Sequence, residues 1–518
     1  MDTSDDTDVI IVGAGPTGLM LARELALAGI RCRVLERRTK STSESRALGL
    51  QARTLEVFDM RGIADEVVSE GNPIRQVRLS LGRSLLNLGR LDTRFGQLHI
   101  TPQSRTEVIV EKYAKPLGVQ VERGVQVLGA TQTADHVTLR LRQADGESEV
   151  RARWVVGCDG THSPVRESQG IDFTGKEYPY TIIVADVKLA VAPTDPLLIR
   201  VGRHGLVVST DFGNGWFRMG VIDRHKPWSD EPVTLEEVRS TLESLFGYDV
   251  GPSEPLWTSR FRIQERQAST YRKGRVLLAG DAAHVHSPLG GQGLNLGLQD
   301  AVNLGWKLAA VVRGEASDAL LDTYMAERRR VSNGVIKATD IATRVMTSTQ
   351  LPPRAGRQVI IPIALRMRRS HQWLAGGLSG ISVEYRDPGS NKKDKGKPGP
   401  GARLPDLEIR STDPTAESLF KALRQGTFVL IDQSGGRLAA AAEPWGDRVR
   451  VVRGSVVRPE YAQFGGILSR PDGYCAWLGG TDDAEGLAAA LRRWAGRPTR
   501  AGKAARPAEV PAVEGVTK

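Results

Sequence analysis

The sequence predicts an α/β protein built of several units, and three observations carry that reading. Near the N-terminus a short apolar strand, Val9 to Val12, runs into Gly13, Gly15 and Gly18 and then into a helix-periodic stretch. From about residue 180 to 265 the pattern turns to β-rich blocks, YTIIVADVKLA, LLIRVGRHGLVVST and GWFRMGVID, separated by PTD, RHG and GNG turns. At 390–406 the stretch SNKKDKGKPGPGARLPD reads as an exposed linker, beyond which strands and a helix recur. A chain of 518 residues is long enough for two to four such units.

The first unit is DVIIVGAGPTGLMLARELALAGIRCRVLERR, a βαβ pattern. Gly13, Gly15 and Gly18 stand in G-x-G-x-x-G spacing directly after the strand. Gly13 makes the tight turn, Gly15 lets the backbone approach a pyrophosphate, and Gly18 lets helix and strand pack closely. The helix start offers free N–H groups to phosphate oxygens. Glu36, eighteen residues after Gly18, ends the second strand, where it bonds ribose hydroxyls and repels a 2′-phosphate. This is a Rossmann-like dinucleotide site, and the motif leaves FAD and NAD both open.

Two further segments fit the same sheet. In RWVVGCDGTHSPVRESQG (153–170) a strand meets Asp159 between glycines, and Ser163-Pro164 reads as a helix cap followed by proline at the first helical position. In LLAGDAAHVHSPLGGQGLNLGLQDAVNLGWKL (277–308) Asp281 stands just beyond a buried strand, where open α/β sheets bind ligands. From Leu294 onward, Leu298, Ala301, Leu304 and Leu308 follow a helical period, with Gly314 as the terminating residue. The turn Pro288, Leu289, Gly290, Gly291, Gln292, Gly293 therefore opens a long helix and leaves its amides bare. His284 and His286 have no third ligand at supporting spacing, so no metal is expected; they read as pocket walls or hydrogen-bonding residues.

Taken together, GAGPTG, Glu36-Arg37, ESRALGLQARTLEVFD (44–59), GCDGTHSPVR and the 277–308 stretch resemble the class A flavoprotein monooxygenases, whose fold is that of para-hydroxybenzoate hydroxylase. Within them the chain is most similar to the aromatic polyketide hydroxylases. The resemblance implies FAD as cofactor and NADPH as co-substrate, with no separate domain for the nicotinamide. Gly13, Gly15, Gly18 and Glu36 would hold the ADP half of FAD, and Arg37 would sit near the adenosine. Asp281 would bond the ribityl or pyrophosphate region. Pro288, Gly290, Gly291, Gln292, Gly293 and Leu294 would lie against the isoalloxazine, and Asn295 would bond a flavin carbonyl. Gln103 and Asp159 match further FAD-contacting positions, and Asp159 is also linked to nicotinamide binding. Arg46 would contact the pyrophosphate or the incoming NADPH. Arg46, Pro288, Gly290 and Gly291 are the candidates nearest the chemistry, and no acid or base can be named.

The implied reaction hydroxylates a polycyclic phenolic, polyketide-type substrate with O2 through a flavin C4a-hydroperoxide, in antibiotic biosynthesis. Baeyer–Villiger insertion and antibiotic inactivation share every motif, and a flavin-binding sensor without turnover is a further alternative. Trp216, Phe217, Met219, Trp257 and Phe261 are candidate substrate contacts in the middle sheet, although any single one of them reads better as core packing. The resemblance divides the chain into an FAD-binding domain (1–180 and 266–390, the latter with interdomain helices), a substrate-binding sheet (181–265), a thioredoxin-like C-terminal domain (400–496) and a disordered tail (497–518). The C-terminal domain carries Cys475 alone, without the C-x-x-C pair of thioredoxin chemistry, so a structural role is expected, a homodimer contact being one form of it.

Bulk properties narrow the partners. The net charge of +11 comes from scattered arginines without aromatic interleaving, so no nucleic-acid partner is expected, though a basic surface attracts an anionic nicotinamide cofactor. No apolar run reaches bilayer length, the acidic start MDTSDD is the reverse of a secretory signal, and three scattered cysteines (Cys32, Cys158, Cys475) suit a reducing cytoplasm.

Overall fold

The computed structural model describes residues 7–41, 45, 47–79, 84–202, 204–226, 228–348, 363, 366–387 and 389–499. Strand β1 (Thr7–Val12) is enclosed on both faces, with Val9, Ile10 and Ile11 inaccessible to solvent, as expected of a central parallel strand. It turns at Gly13 into helix α1 (Pro16–Leu27), which begins on proline, and the chain returns as the parallel strand β2 (Cys32–Glu36). Helix α2 (Gln103–Ala114) leads to β3 (Val121–Arg123), and β4 (Gly146–Gly157) lies parallel to β1 on its other side.

The next strands build a separate antiparallel sheet: β5 (Phe173–Leu189), β6 (Leu197–Val201), β7 (Gly205–Asp211) and β8 (Trp216–Asp223), then helix α3 (Leu235–Phe246) and β9 (Pro252–Ala268). Its order is β6-β7-β8-β5-β9, and His284–Val285 add a short sixth strand beside β9. The two long strands overrun the expected 181–265 span at both ends.

Strand β10 (Val276–Leu278) rejoins the first sheet beside β4, giving the order β10-β4-β1-β2-β3. Val12 pairs with Gly157 and Gly157 with Leu278, so three strands end level. Helices α4 (Gly293–Val312) and α5 (Ala319–Thr347) follow. A β-carbon on Gly297 would collide with Thr17, and one on Gly305 with Glu24; these glycines let α4 lie close along α1. Both contacts advance together along the two helices, so α1 and α4 run parallel with their N-termini at the same end.

The C-terminal unit holds β11 (Phe428–Asp432), β12 (Val449–Arg453), β13 (Gly466–Ser469), β14 (Cys475–Gly479) and helix α6 (Ala484–Trp494). The sheet order is β12-β11-β13-β14; β11 and β12 are parallel and β13 is antiparallel to both its neighbours. The expected exposed linker is exposed only in its first part. Leu404 and Leu407 are inaccessible, and Gly401 N and Leu404 N bond Cys475 O and Gly473 O, because these leucines complete the core of the unit. The expected tail begins with Arg497 and Thr499 bonded to Glu315 O and Pro444 O; residues 500–518 lie outside the described residues. No described helix is long and apolar enough to cross a membrane.

A buried ionic cluster joins this unit to the helices. Arg470, 1% exposed, forms a two-point contact with Glu327 of α5 at 2.6 and 2.9 Å, and Lys307 of α4 reaches the same carboxylate at 2.7 Å. Asp472 accepts from Arg470 and Asn303. Burial pushes Lys307 down to about 8, while Arg470 and Lys307 outweigh burial and hold Glu327 well below the ordinary carboxylate range. Removing one member strands buried charge, so Arg470→Met should cost roughly 3 kcal/mol in denaturant unfolding. Arg493→Met, breaking an exposed pair with Asp387, should cost no more than about 0.5 kcal/mol in the same measurement.

Candidate active site

The level ends of β1, β4 and β10 put Gly13, Asp159 and Asp281 along one edge of the sheet, at the point where strand order reverses. The three glycines of the first turn divide their work as the spacing predicts. A β-carbon on Gly13, whose φ is +103°, would strike Cys158 O, and one on Gly18 would strike Gly13 O. One on Gly15 would meet nothing within 4 Å. Gly15 caps α1 in extended conformation without a side-chain bond, so the helix amides open onto that space. An empty cradle at an uncapped helix start fits a pyrophosphate.

Glu36 is buried at the end of β2. Its carboxylate accepts from Ala14 N at 2.8 Å and from the backbone and side chain of Arg38, both at 2.9 Å. These bonds outweigh burial and lower its pKa, so it is an anion beside the glycine turn. Arg38, missed in the sequence, is therefore the arginine tied to this site; Arg37 is exposed. Asp159 accepts from Val165 N at 3.2 Å, while its buried Oδ1 has no partner among the described residues. Ser163 caps the following helix through Arg166 N, as predicted.

At the second edge, Gly290 and Gly291 hold φ of +103° and +60°, a left-handed pair that only glycine adopts without strain. Gln292, the first residue before α4, provides no side-chain cap and instead donates to Leu378 O at 3.0 Å. Asn295 is inaccessible and spends its side chain on the protein. Its oxygen accepts from Gln51 N at 2.8 Å, and its two N–H groups reach Gly49 O and Gly291 O, both at 2.9 Å. The expected side-chain bond to a flavin carbonyl is thus corrected: no donor remains, and Asn295 ties the glycine turn to Gly49 and Gln51. Gln103 does similar work, accepting from Ala47 N at 3.3 Å and donating to Glu107 at 2.9 Å. Arg46 lies outside the described residues; its neighbour Ala47 also receives Arg218 Nη1 at 3.4 Å.

The histidines bind protein partners. His284 Nε2 meets Asp300 at 2.7 Å, and His286 Nδ1 meets Ser287 O at 2.8 Å. Above the turn, strand alternation sorts the candidate contacts of the antiparallel sheet. Phe217 and Met219 face α3 and belong to its core. Ile182, Val184, Ile222, Trp257 and Phe261 share the opposite face, and Leu289 of the Pro288–Gly293 turn packs among them. On that face Arg218 and Asp186 form a buried two-point ion pair at 2.7 and 2.6 Å. Sequence reading missed this pair, since only the pairing of β5 with β8 brings the residues together.

An open glycine cradle, an acidic strand end and a bare second helix start are the parts of a dinucleotide-binding enzyme of the α/β plus antiparallel-sheet type. Known proteins agree. Residues 6–339 match the FAD binding domain family and residues 397–498 the aromatic-ring hydroxylase C-terminal family. The chain is 39% identical to a 12-dehydrotetracycline 5-monooxygenase/anhydrotetracycline 6-monooxygenase of Streptomyces rimosus, over 95% of this chain and 99% of that protein. It is 38% identical to a rifampicin monooxygenase of Streptomyces venezuelae, over 95% and 99%. The crystal structure of CabE, an aromatic hydroxylase from angucycline biosynthesis, superposes with a TM-score of 0.86 at 37% identity, over 96% of this chain and all of that one. The chain belongs to the FAD-binding aromatic-ring hydroxylases, the flavoprotein monooxygenases.

Gly15 separates fold from cofactor. Aspartate is a favoured N-cap, so Gly15→Asp should leave the stability of flavin-free protein unchanged or raised by about 0.5 kcal/mol. The same carboxylate would face the pyrophosphate, so FAD affinity in a fluorescence-quenching titration should fall by about a hundredfold or more. Asp159 gives a pH test. Burial pushes its carboxyl from 3.8 up to about 6, against bonds from Ser163 and Val165. The folded state therefore binds this proton more tightly, and the resulting stability, complete below about pH 4, is lost as pH rises through about 6. In flavin-free protein the melting midpoint of Asp159→Asn relative to the parent should climb between about pH 4 and 6 and then level off.

Proposed function

We propose that this enzyme hydroxylates a polycyclic, polyketide-type phenol with NADPH and O2, in antibiotic biosynthesis. One observation carries the reading. The apolar face of Ile182, Val184, Ile222, Trp257 and Phe261 closes onto Leu289, which belongs to the turn at the cofactor edge. An apolar face carrying Trp257 and Phe261 beside that turn suits a flat, largely apolar ring system, and the buried Arg218–Asp186 pair on the same face suits a polar group on that substrate. Bound FAD supplies the oxygen-activating redox chemistry. The chain's own part is to bind both partners, exclude water, and offer the N-terminal amides of α4 to negative charge at the ring edge.

In this reading residues 1–180 and 266–390 hold FAD, and 181–265 form the substrate floor. Pro288, Gly290, Gly291, Gln292, Gly293 and Leu294 lie against the flavin ring, with Arg46 at the pyrophosphate or the incoming NADPH. Residues 400–496 are a thioredoxin-like unit, a reading supported by the strand order β12-β11-β13-β14 with an antiparallel third strand. Likeness to a rifampicin monooxygenase favours one second reading, inactivation of a finished antibiotic.

The test is NADPH oxidation under labelled O2 with a panel of polycyclic phenols, single-ring phenols and a rifamycin. Polycyclic phenols should accelerate NADPH consumption and gain one labelled oxygen; acceleration by the rifamycin alone would favour the second reading, and acceleration by none would end the polyketide assignment. Phe261→Ala should raise KM for the best substrate by about tenfold, as expected for lost aromatic burial, with FAD affinity unchanged.

A further inference from the structure

His286 carries one nitrogen that the described residues leave unused. Its Nδ1 lies 2.8 Å from Ser287 O, and a carbonyl oxygen only accepts, so Nδ1 bears the proton. Nε2 is then a bare acceptor. It is buried, in a residue only 9% exposed, and has no hydrogen-bond partner among the described residues. An unmet acceptor of this kind is costly unless something donates to it.

The position of Nε2 tells what the donor is. A β-carbon built on Gly293, the first residue of α4, would lie 3.5 Å from His286 Nε2 and 3.8 Å from Asp281 Oδ1. Two acceptors thus converge on the bare α-carbon of Gly293, while the first amides of α4, which have no partner within the helix, donate from its end. A ligand atom placed there must give a proton to one side and can take one from the other. The pyrophosphate diester of a dinucleotide has none to give at neutral pH and is repelled by the Asp281 carboxylate. A hydroxyl does both. Burial, only partly opposed by the Ser287 carbonyl, holds the His286 imidazole down at about 4, so the ring is neutral and its Nε2 lone pair is free under ordinary conditions.

We propose that His286 Nε2 accepts a hydrogen bond from a hydroxyl of the ribityl chain of bound FAD, side by side with Asp281. The inference rests on the reading of the Asp281–Gly293 turn as the flavin site and assigns His286 as a cofactor-binding residue. It explains why the residue opening α4 is glycine: any side chain would fill the point at which the hydroxyl meets both acceptors.

Flavin-free protein is titrated by calorimetry with FAD and with FAD analogues in which the 2′-, 3′- or 4′-hydroxyl of the ribityl chain is replaced by hydrogen. His286→Phe, which removes the acceptor, should weaken FAD by about five- to tenfold, the worth of one hydrogen bond, and His286→Gln, whose amide oxygen reaches the same place, should recover most of it. One deoxy analogue should bind the parent weaker by that factor and lose nothing further on His286→Phe. Gly293→Ala, whose methyl makes only ordinary contacts with the protein, should weaken FAD at least as much while leaving the melting point of flavin-free protein in place. Equal FAD affinity in His286→Phe and parent overturns the proposal, as do losses that simply add for every analogue. If His286→Phe does not fold, parent protein that binds all three analogues as tightly as FAD overturns it. Parent protein that binds no FAD would instead defeat the flavin-site reading itself.

Discussion

The Asp300 carboxylate is fully enclosed in α4, and three elements of the site are held through it. Its Oδ2 accepts from Gly280 N at 3.0 Å and from His284 Nε2 at 2.7 Å, and its Oδ1 from Arg328 Nε at 2.6 Å. Burial alone would drive such a group to neutrality; the facing His284 and Arg328 reverse that and hold it at about 2. Because an unpaired charge in this interior is costly, the three donors cannot be displaced singly without leaving it exposed to that penalty. The turn that carries Asp281, the start of α4 and the middle of α5 therefore behave as one body. Arg328 extends the body further, donating to Leu296 O at 3.1 Å and to Tyr385 at 2.8 Å.

The same helix turn of α5 also receives the C-terminal unit. Glu327 precedes Arg328 in sequence; one residue pairs with Arg470 and the other with Asp300. Adjacent helix positions point in different directions, so α5 transmits a fixed spacing between the C-terminal sheet and the cofactor turn. Cys475 is buried and its thiol is pushed up to about 12, far from the thiolate range a redox role requires. What the unit contributes is a guanidinium placed where two helices meet.

What could be read from the sequence follows from how local each feature is. The Gly13–Gly18 turn, the cap at Ser163, the Gly290-Gly291 pair and the helix ending before Gly314 are set by neighbouring residues, and the spacing alone announces them. Side-chain assignments behave differently. Whether Asn295 has a free N–H depends on Gly49, 246 positions away, and whether Leu404 is linker or core depends on the turn at Gly473. The split between Phe217 and Trp257 depends on which face of the sheet α3 covers, a tertiary fact with no local signature. Arg38 rather than Arg37 meets Glu36 because residues alternate sides where the chain leaves β2.

Among the helix starts without a side-chain cap, those of α1 and α4 lie at the same end of the molecule. Neither Gly15 nor Gln292 caps with its side chain, although a Ser, Thr, Asp or Asn cap is worth about 1 kcal/mol at each position. The Gly297 and Gly305 contacts hold α1 and α4 parallel, so the positive ends of both dipoles point to the sheet edge that carries Gly13 and Asp281. An extended cofactor with an anionic pyrophosphate at one end and a ring that becomes electron-rich at the other has a matching pair of demands. The stability forgone at the two caps returns on binding, since a ligand present at about a thousand times its Kd stabilises the native state by about 4 kcal/mol. Foldedness and cofactor loading are thereby coupled through the free amides at the start of each helix, one of which a cap would otherwise have occupied.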